Sequence, residues 1–320
     1  MNFELYNGDC LDELKKLPDN SIDSCVTDPP YGLSFMGNQW DYDVPSADIW
    51  REVLRVLKPG AHLLAFFGSR TYHRGAIKIE DAGFEIRDQI MWLYGSGFPK
   101  AGNLKPAHEP IVVARKSFSG SRKDNVEKFG TGGLNIDDCR LNGGAKKWTK
   151  PRGGIWKTDS EAKAVLVDNP LGRYPANVIH DGAIDIEEGR FFYCAKASKA
   201  DRDEGLEQFL AKKVVTFQTG NGASGNASSL SADRNTEYKN IHPTVKPTDL
   251  MKYLVKLVTQ KGGTVLDPFM GSGSTGKACG FEDYKFIGIE RDAEYFEIAK
   301  VRIEHAYQNK IANLEEFFTD

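Results

Sequence analysis

Thr264-Val265-Leu266-Asp267-Pro268-Phe269-Met270-Gly271-Ser272-Gly273-Ser274-Thr275-Gly276-Lys277 reads as a strand, a glycine-rich turn and the start of a helix. Thr264 to Asp267 is the strand, and a helix begins at Ser274. Glycines in such a turn let the backbone approach a ligand closely and leave helix N–H groups free to bind it. A second strand, Lys285 to Glu290, follows and ends on an acid nineteen residues after Gly271. Strand, glycine turn, helix and strand in this order belong to an α/β protein with a largely parallel sheet.

Taken alone, the turn fits three ligands. Gly271, Gly273 and Gly276 match the G-x-G-x-x-G spacing of dinucleotide sites, with Glu290 where a ribose-binding acid belongs. Gly271 through Lys277 also matches a phosphate loop, G-x-x-x-x-G-K, but Ala278 stands where Ser or Thr should hold Mg²⁺. The third ligand is S-adenosylmethionine, its methionine end at the glycine turn and its ribose hydroxyls at Glu290.

Outward from the turn, the alternation continues at both ends of the chain. Thr248 to Val258 is an amphipathic helix opening after Lys246-Pro247, and Ala293 to Ala306 is a final helix. Near the N-terminus, Asp12 to Leu17 reads as a short helix and Ser21 to Thr27 as a strand. Ala47 to Leu57 has helical periodicity and stops at Lys58-Pro59-Gly60. Ala61 to Phe67 reads as a strand covered on both faces, Arg70 to Ala82 as a helix, and Phe84 to Tyr94 and Glu109 to Ala114 as two strands. From Arg115 to about Asn240 the composition shifts to Gly, Ser, Asn and Lys, with weak periodicity. Such a stretch, about 125 residues, is too long for a loop and reads as an inserted recognition region. Within it, Asn177 to Ile179 and Arg190 to Lys196 are candidate strands, and Thr219 to Ser231 has linker composition.

Of the 320 residues, 40% are hydrophobic, enough for a sizeable core, and no apolar run approaches the ~20 residues of a membrane span. The N-terminus has no signal-peptide pattern, and the five scattered cysteines have no metal-ligand spacing; these features predict free thiols, no metal and a cytoplasmic protein. Net charge is −3, yet residues 101–160 hold twelve Lys/Arg against six Asp/Glu. A local basic surface on an acidic body suits a protein that grips a polyanion with one face.

Asp28-Pro29-Pro30-Tyr31, directly after the apolar run Ile22 to Val26, discriminates among the ligands. The Asp28 carboxylate and the Pro29 carbonyl can each accept one N–H of a planar amine, and Tyr31 can stack on the ring that carries it. Hydride transfer has no use for an amine clamp. A methyl donor beside one describes methylation of an exocyclic amine, with no covalent enzyme intermediate.

With both motifs in hand, the chain resembles the β-class DNA amino-methyltransferases, which modify adenine N6 or cytosine N4. The resemblance lies in the order of parts, from Asp28-Pro-Pro-Tyr31 through a target-recognition region to the Asp267–Gly273 loop, and covers about residues 1–116 and 240–308. Asn7-Gly8-Asp9-Cys10 and His242-Pro-Thr-Val-Lys246-Pro247 are further matches, while Leu104–Ile111 and Gly172–Ile179 look like phage- or prophage-type members. It implies a Rossmann-like, seven-stranded methyltransferase sheet, circularly permuted in motif order, with one antiparallel strand. It divides the chain into a catalytic half, 1–116, a recognition region, 117–240, and an S-adenosylmethionine-binding half, 241–320. It implies that Asp9 and Cys10 meet the adenine of the methyl donor, that Glu290 binds ribose, and that Asp267, Phe269, Gly271 and Gly273 line the pocket. His242, Thr244 and Lys246 would meet the methionine carboxylate end. The implied partner is duplex DNA with its target base flipped out, and homodimers are frequent in the class. Asp28 favours adenine N6, since cytosine-N4 members often carry Ser there. Cytosine N4, a single-stranded or RNA substrate, and an inactive DNA-binding module stay open.

Phosphate contacts are assigned to Arg115, Lys116, Arg122 and Lys123, and to Lys146, Lys147, Lys150 and Arg152. Trp92 is expected in the core, and Ser96-Gly97-Phe98-Pro99-Lys100 reads as a flexible turn near the catalytic edge, a candidate lid.

Overall fold

The computed structural model describes residues 2–34, 39–97, 104–141, 145–147, 167–169, 171–182, 191–213 and 237–319. Nine strands form its main sheet. In chain order they are β1 (Phe3–Asn7), β2 (Ile22–Thr27), β3 (Leu57–Phe66), β4 (Glu85–Leu93), β5 (His108–Arg115), β6 (Val178–His180), β7 (Phe192–Tyr193), β8 (Thr264–Asp267) and β9 (Lys285–Glu290). Across the sheet they run β1-β9-β8-β2-β3-β5-β4-β6-β7. Neighbours are parallel except at β5, which is antiparallel to β3 and β4.

Helices cover both faces. On one lie α1 (Cys10–Leu14), α2 (Ala47–Val56) and α3 (Tyr72–Asp81), whose Leu14, Trp50, Val53 and Ile79 join one core cluster. On the other lie α6 (Thr248–Val258), α7 (Ser274–Glu282) and α8 (Ala293–Thr319), whose Leu254, Cys279 and Ile303 join a second. The two remaining helices, α4 (Arg122–Phe129) and α5 (Lys199–Asp203), belong to the segment between the halves. All six residues of β2 are buried, as a parallel strand between two helical layers requires. Trp92 is 2% exposed and belongs to the core.

Two sequence expectations need correction, and one strand was not foreseen. Among the described residues the sheet has nine strands where seven were expected, because β6 and β7 continue it past β4 (Met91 opposite Val178, Ile179 opposite Phe192). They cover backbone groups that an edge strand would leave unpaired. Lys58-Pro59-Gly60 does not separate α2 from the next strand; the backbone turns extended at Leu57 and β3 runs straight through. Proline near the start of a strand loses little, and Gly60 supplies a φ of +80°. Finally, β1, too short to announce itself by periodicity, pairs along its whole length with β9.

The two ends of the chain share one sheet. β8 lies beside β2, with Leu266 opposite Cys25, and β9 lies beside β8, with Asp267 opposite Gly288. Asp28, Asp267, Glu290 and Gly8 therefore all emerge at the carboxyl edge, where open α/β sheets bind ligands. Residues between the halves are tied to this body. Trp92 Nε1 donates to Cys194 O at 3.0 Å, and Asn135 Nδ2 donates to Lys256 O at 2.8 Å.

Candidate active site

The carboxyl edge opens into a cleft of about 1360 Å³. Asp28, Pro29, Pro30 and Tyr31 line one side, and Asp267, Phe269 and Gly271 the other. Asp28 is a hub. Its Oδ2 accepts from Lys246 Nζ at 2.5 Å, and its Oδ1 accepts from Tyr31 Oη at 2.7 Å. Glu109 stands opposite, with Oε2 3.1 Å from Tyr31 Oη and 3.4 Å from Lys246 Nζ.

Burial pushes the Asp28 carboxyl upward; the Lys246 ammonium pulls it back and the Glu109 charge adds to the rise, leaving it above the usual carboxylate range. Burial alone would lower Lys246, but the two carboxylates outweigh it and its pKa rises, so the ammonium is kept. Tyr31 is raised well above an ordinary phenol by burial and by both acids, and stays a hydrogen-bond donor. A turn behind Asp28 is held by Asp41, whose carboxylate accepts from the backbone N–H of Tyr31 at 2.6 Å, Gly32 at 3.0 Å and Leu33 at 3.2 Å.

The glycine turn is built largely from backbone. Gly271 takes a φ of +51°, and its N–H donates to Glu290 Oε2 at 2.9 Å. Glu290 Oε1 accepts from Asp292 N–H at 2.8 Å, and burial pushes this carboxyl up to about 7. His242 packs edge-on to Tyr295, 4.6 Å between ring centroids, and burial together with Arg202, Lys246 and Arg302 lowers it to about 3, so the ring is neutral. Its Nδ1 accepts from Thr244 N–H at 3.4 Å. Asp267 is enclosed: its oxygens accept from Thr27 Oγ1 and Thr275 Oγ1, both at 2.6 Å, and burial raises it to about 6. It ties β2, β8 and α7 together at the floor of the cleft. Asp9 caps α1, accepting from Leu11 N–H at 2.9 Å, and burial with the Asp9 charge pushes the neighbouring Cys10 thiol up to about 12. Asp9, Cys10, His242 and Thr244 all line the cleft.

One placement differs from expectation. Gly273 does not line the cleft; with φ +79° it faces α8, where an added Cβ would lie 3.0 Å from Ile303 Cδ1. Lys246 lines the cleft with its ammonium on Asp28. Lys277, which would serve a phosphate loop, is fully buried and bonded to Asp201 Oδ1 at 2.8 Å and Glu204 Oε2 at 2.7 Å. That removes the phosphate-loop reading.

The phosphate-contact assignment also changes. Arg115 and Lys116 follow the antiparallel course of β5 to the opposite end of the sheet from the cleft. There Arg115 Nη2 pairs with Glu85 at 2.6 Å, and Lys116 Nζ donates to Leu57 O at 2.7 Å. Arg122 and Lys123 are exposed on α4, which packs at that same end through Asn125 Nδ2 to Pro59 O, 2.9 Å. Charge counted along the chain is thus dispersed by the fold. Lys146 and Lys147 fall on the short strand Ala145–Lys147, paired with Val167–Asn169. Lys150 and Arg152 lie outside the described residues, as do Phe98, Pro99 and Lys100 of the expected lid and the linker-like Thr219 to Ser231. Among the described residues, the exposed cations that line the cleft are Arg70, Lys105 and Arg291.

Sequence reasoning missed Glu109, Asp41 and Asp201. Glu109 is the second residue of β5, inside the Leu104–Ile111 stretch already noted for its resemblance, but no role was assigned to it there. Asp201, on α5, joins Thr248, Lys277 and the main chain of α6 in a buried network that no spacing announces.

The model of a family described as DNA methylase matches residues 22–301. The chain is 26% identical over 316 residues to the type II methyltransferase M.HpaI of Haemophilus parainfluenzae, covering 96% of this chain and 76% of that protein. It is 24% identical over 355 residues to the type II methyltransferase M.HindIII of Haemophilus influenzae, covering 97% of this chain and 98% of that one. Among solved structures, the cytosine-N4-specific PvuII DNA methyltransferase shares the fold, with a TM-score of 0.56 at 18% identity over 98% of this chain and 93% of that chain.

Proposed function

We infer the function from one premise: the chain belongs to the DNA methylase family, the N6/N4 amino-methyltransferases, whose model spans residues 22–301. The reading proposed is an S-adenosylmethionine-dependent DNA adenine-N6 methyltransferase. The observation that carries it is the adjacency of β2 and β8, which opens the Asp28 turn and the Gly271 turn onto one cleft.

The residues fit the methyl donor. Each Glu290 oxygen takes one backbone N–H and keeps acceptor capacity for a ribose hydroxyl. The Gly271 turn leaves room that a side chain would fill, since an added Cβ would sit 2.8 Å from His242 Nε2. When bound, S-adenosylmethionine supplies an electrophilic methyl group on a sulfonium. The chain's own residues do the rest. An exocyclic nitrogen delocalises its lone pair into the ring and is a poor nucleophile. Acceptance of its two N–H groups by Asp28 and the Pro29 carbonyl favours a tetrahedral nitrogen with its lone pair free to attack. With the methyl group supplied by that sulfonium, which would leave as a thioether, Asp28 would take the proton that the nitrogen releases. The Tyr31 ring, pinned by its hydroxyl, forms a stacking wall for a base drawn out of the duplex. Arg70 and Lys105, at the mouth, are placed to meet backbone phosphates. Asp at position 28 supports adenine over cytosine, and the type II names of the relatives support a place in a restriction–modification system.

The test is methyl transfer from labelled S-adenosylmethionine to unmethylated duplex DNA, followed by nucleoside analysis. N6-methyladenine is the expected product. N4-methylcytosine would overturn the base assignment and keep the mechanism; no transfer to duplex, single-stranded DNA or RNA would overturn the enzyme.

A further inference from the structure

Both oxygens of Asp28 are already engaged. Oδ2 holds the Lys246 ammonium at 2.5 Å and Oδ1 holds the Tyr31 hydroxyl at 2.7 Å. A target amine that donates to this carboxylate competes with both donors for its lone pairs and weakens their hold. A loosened ammonium in a largely buried site needs another acceptor, because an unpaired buried charge is strongly destabilising.

One carboxylate oxygen is within reach of both loosened groups. Glu109 Oε2 lies 3.4 Å from Lys246 Nζ and 3.1 Å from Tyr31 Oη. Lys246 Nζ also sits 5.0 Å from the Phe66 ring centroid and 5.4 Å from that of Tyr31, walls that keep the ammonium between the two acids. A shift of well under an ångström shortens the Glu109 contact to ordinary ion-pair length, about 2.8 Å. Lys246 changes its dominant partner without ever losing one.

We propose that Glu109 is a positioning residue for methyl transfer: it takes over Lys246 and Tyr31 when the target amine donates to Asp28. The inference rests on the amine-methylation reading above. It gives the four groups two arrangements, with the donors on Asp28 in the free protein and on Glu109 in the complex. No proton changes owner in the exchange; Lys246 stays an ammonium and Tyr31 a phenol. Glu109 acts through these two side chains and need not touch the base.

A purely structural Glu109 predicts something different. The Glu109 charge is one of the causes that raise Asp28. Removing the charge but keeping the shape, as Glu109→Gln does, should therefore move the acid limb of the kcat profile to lower pH while depressing its plateau. Lost packing would depress the plateau and leave the limb in place.

The experiment is steady-state methylation of duplex DNA by the full chain, from pH 5 to 9, for wild type, Glu109→Gln and Glu109→Asp. Glu109→Gln is expected to lower kcat about ten- to a hundredfold, with the acid limb displaced downward. Its S-adenosylmethionine dissociation constant should stay within about twofold of wild type. Glu109→Asp should leave the limb in place and lower kcat by less than Glu109→Gln does. A Glu109→Gln enzyme with the wild-type rate and limb overturns the proposal, as does an equal loss in both variants without a shift. Should Glu109→Gln fail to fold, Glu109→Asp decides alone: a carboxylate set back by one methylene lowers kcat at an unmoved limb, and an unchanged kcat overturns the proposal. A wild type that methylates no nucleic acid brings down the functional reading and this inference together; an active wild type beside an unaltered Glu109→Gln enzyme brings down this inference only.

Discussion

Around Gly271 the cleft wall is mostly backbone: a left-handed turn, an N–H aimed at Glu290, and a helix packed closely behind. Around Asp28 the wall is ionisable side chains gathered from distant parts of the chain, with Lys246 218 residues away in sequence and Glu109 on an antiparallel strand. The contrast teaches how the two sides respond to change. The backbone side depends on space and φ. The side-chain side depends on which groups carry charge and who shares their protons.

Breaking the side-chain side should have the largest effect. Asp28→Ala is expected to lower kcat about a thousandfold while leaving S-adenosylmethionine binding intact, as measured by single-turnover methylation beside calorimetric titration. Equal loss of binding would show that the two sides are not separable. Breaking the backbone side should read out as stability. In Gly276→Val, the first added carbon would lie 2.5 Å from Ile303 Cδ1 and 2.6 Å from Phe286 Cε1, where α7 meets α8 and β9. Overpacking of this kind costs about 1–3 kcal/mol, to be measured by urea denaturation.

Glu290 sharpens the comparison, because it is an ionisable group on the backbone side that accepts from the Gly271 turn itself. Burial holds its carboxyl at about 7, and the proposed contact with ribose hydroxyls needs the ionised form. A proton therefore opposes binding. The dissociation constant of the cofactor should rise as pH falls through about 7, approaching tenfold per unit at the limit. Glu290→Gln should weaken binding about tenfold at pH 8 and flatten that dependence. The smallest effect is expected far from both walls. Arg122→Ala with Lys123→Ala, at the opposite end of the sheet, should change the KM for DNA by less than about twofold, whereas Arg70→Ala with Lys105→Ala should raise it and reduce its salt dependence.

How far the sequence could be read follows from the same contrast. Thr248–Val258, Thr264–Asp267 and Lys285–Glu290 have the boundaries that apolar patterning predicts. Each is a regular element whose burial is written in its own residues. Asp28-Pro-Pro-Tyr31 and the Gly271 turn were legible for a related reason: both are local geometries that few residue types can adopt. What stayed hidden were partners that lie far along the chain. Lys246 shows its Asp28 partner only once β2 and α6 are placed together. Lys277 completes a phosphate-loop string until its ammonium is found buried against Asp201 and Glu204. The basic stretch 101–160 looks like one surface until β5 carries Arg115 and Lys116 to the end opposite the cleft.

The sequence by itself determined the α/β alternation, the two motifs and their order, and hence the kind of chemistry the cleft is built for. Backbone conformation and apolar burial are dictated within a few neighbouring residues, so they survive reading in one dimension. Only the tertiary structure decided the sheet's two extra strands, the place of Glu109 beside Lys246 and Tyr31, and the pairing of Lys246 with Asp28. Electrostatic partners are chosen by distance through space and by the water that burial removes, and neither quantity exists until the chain has folded.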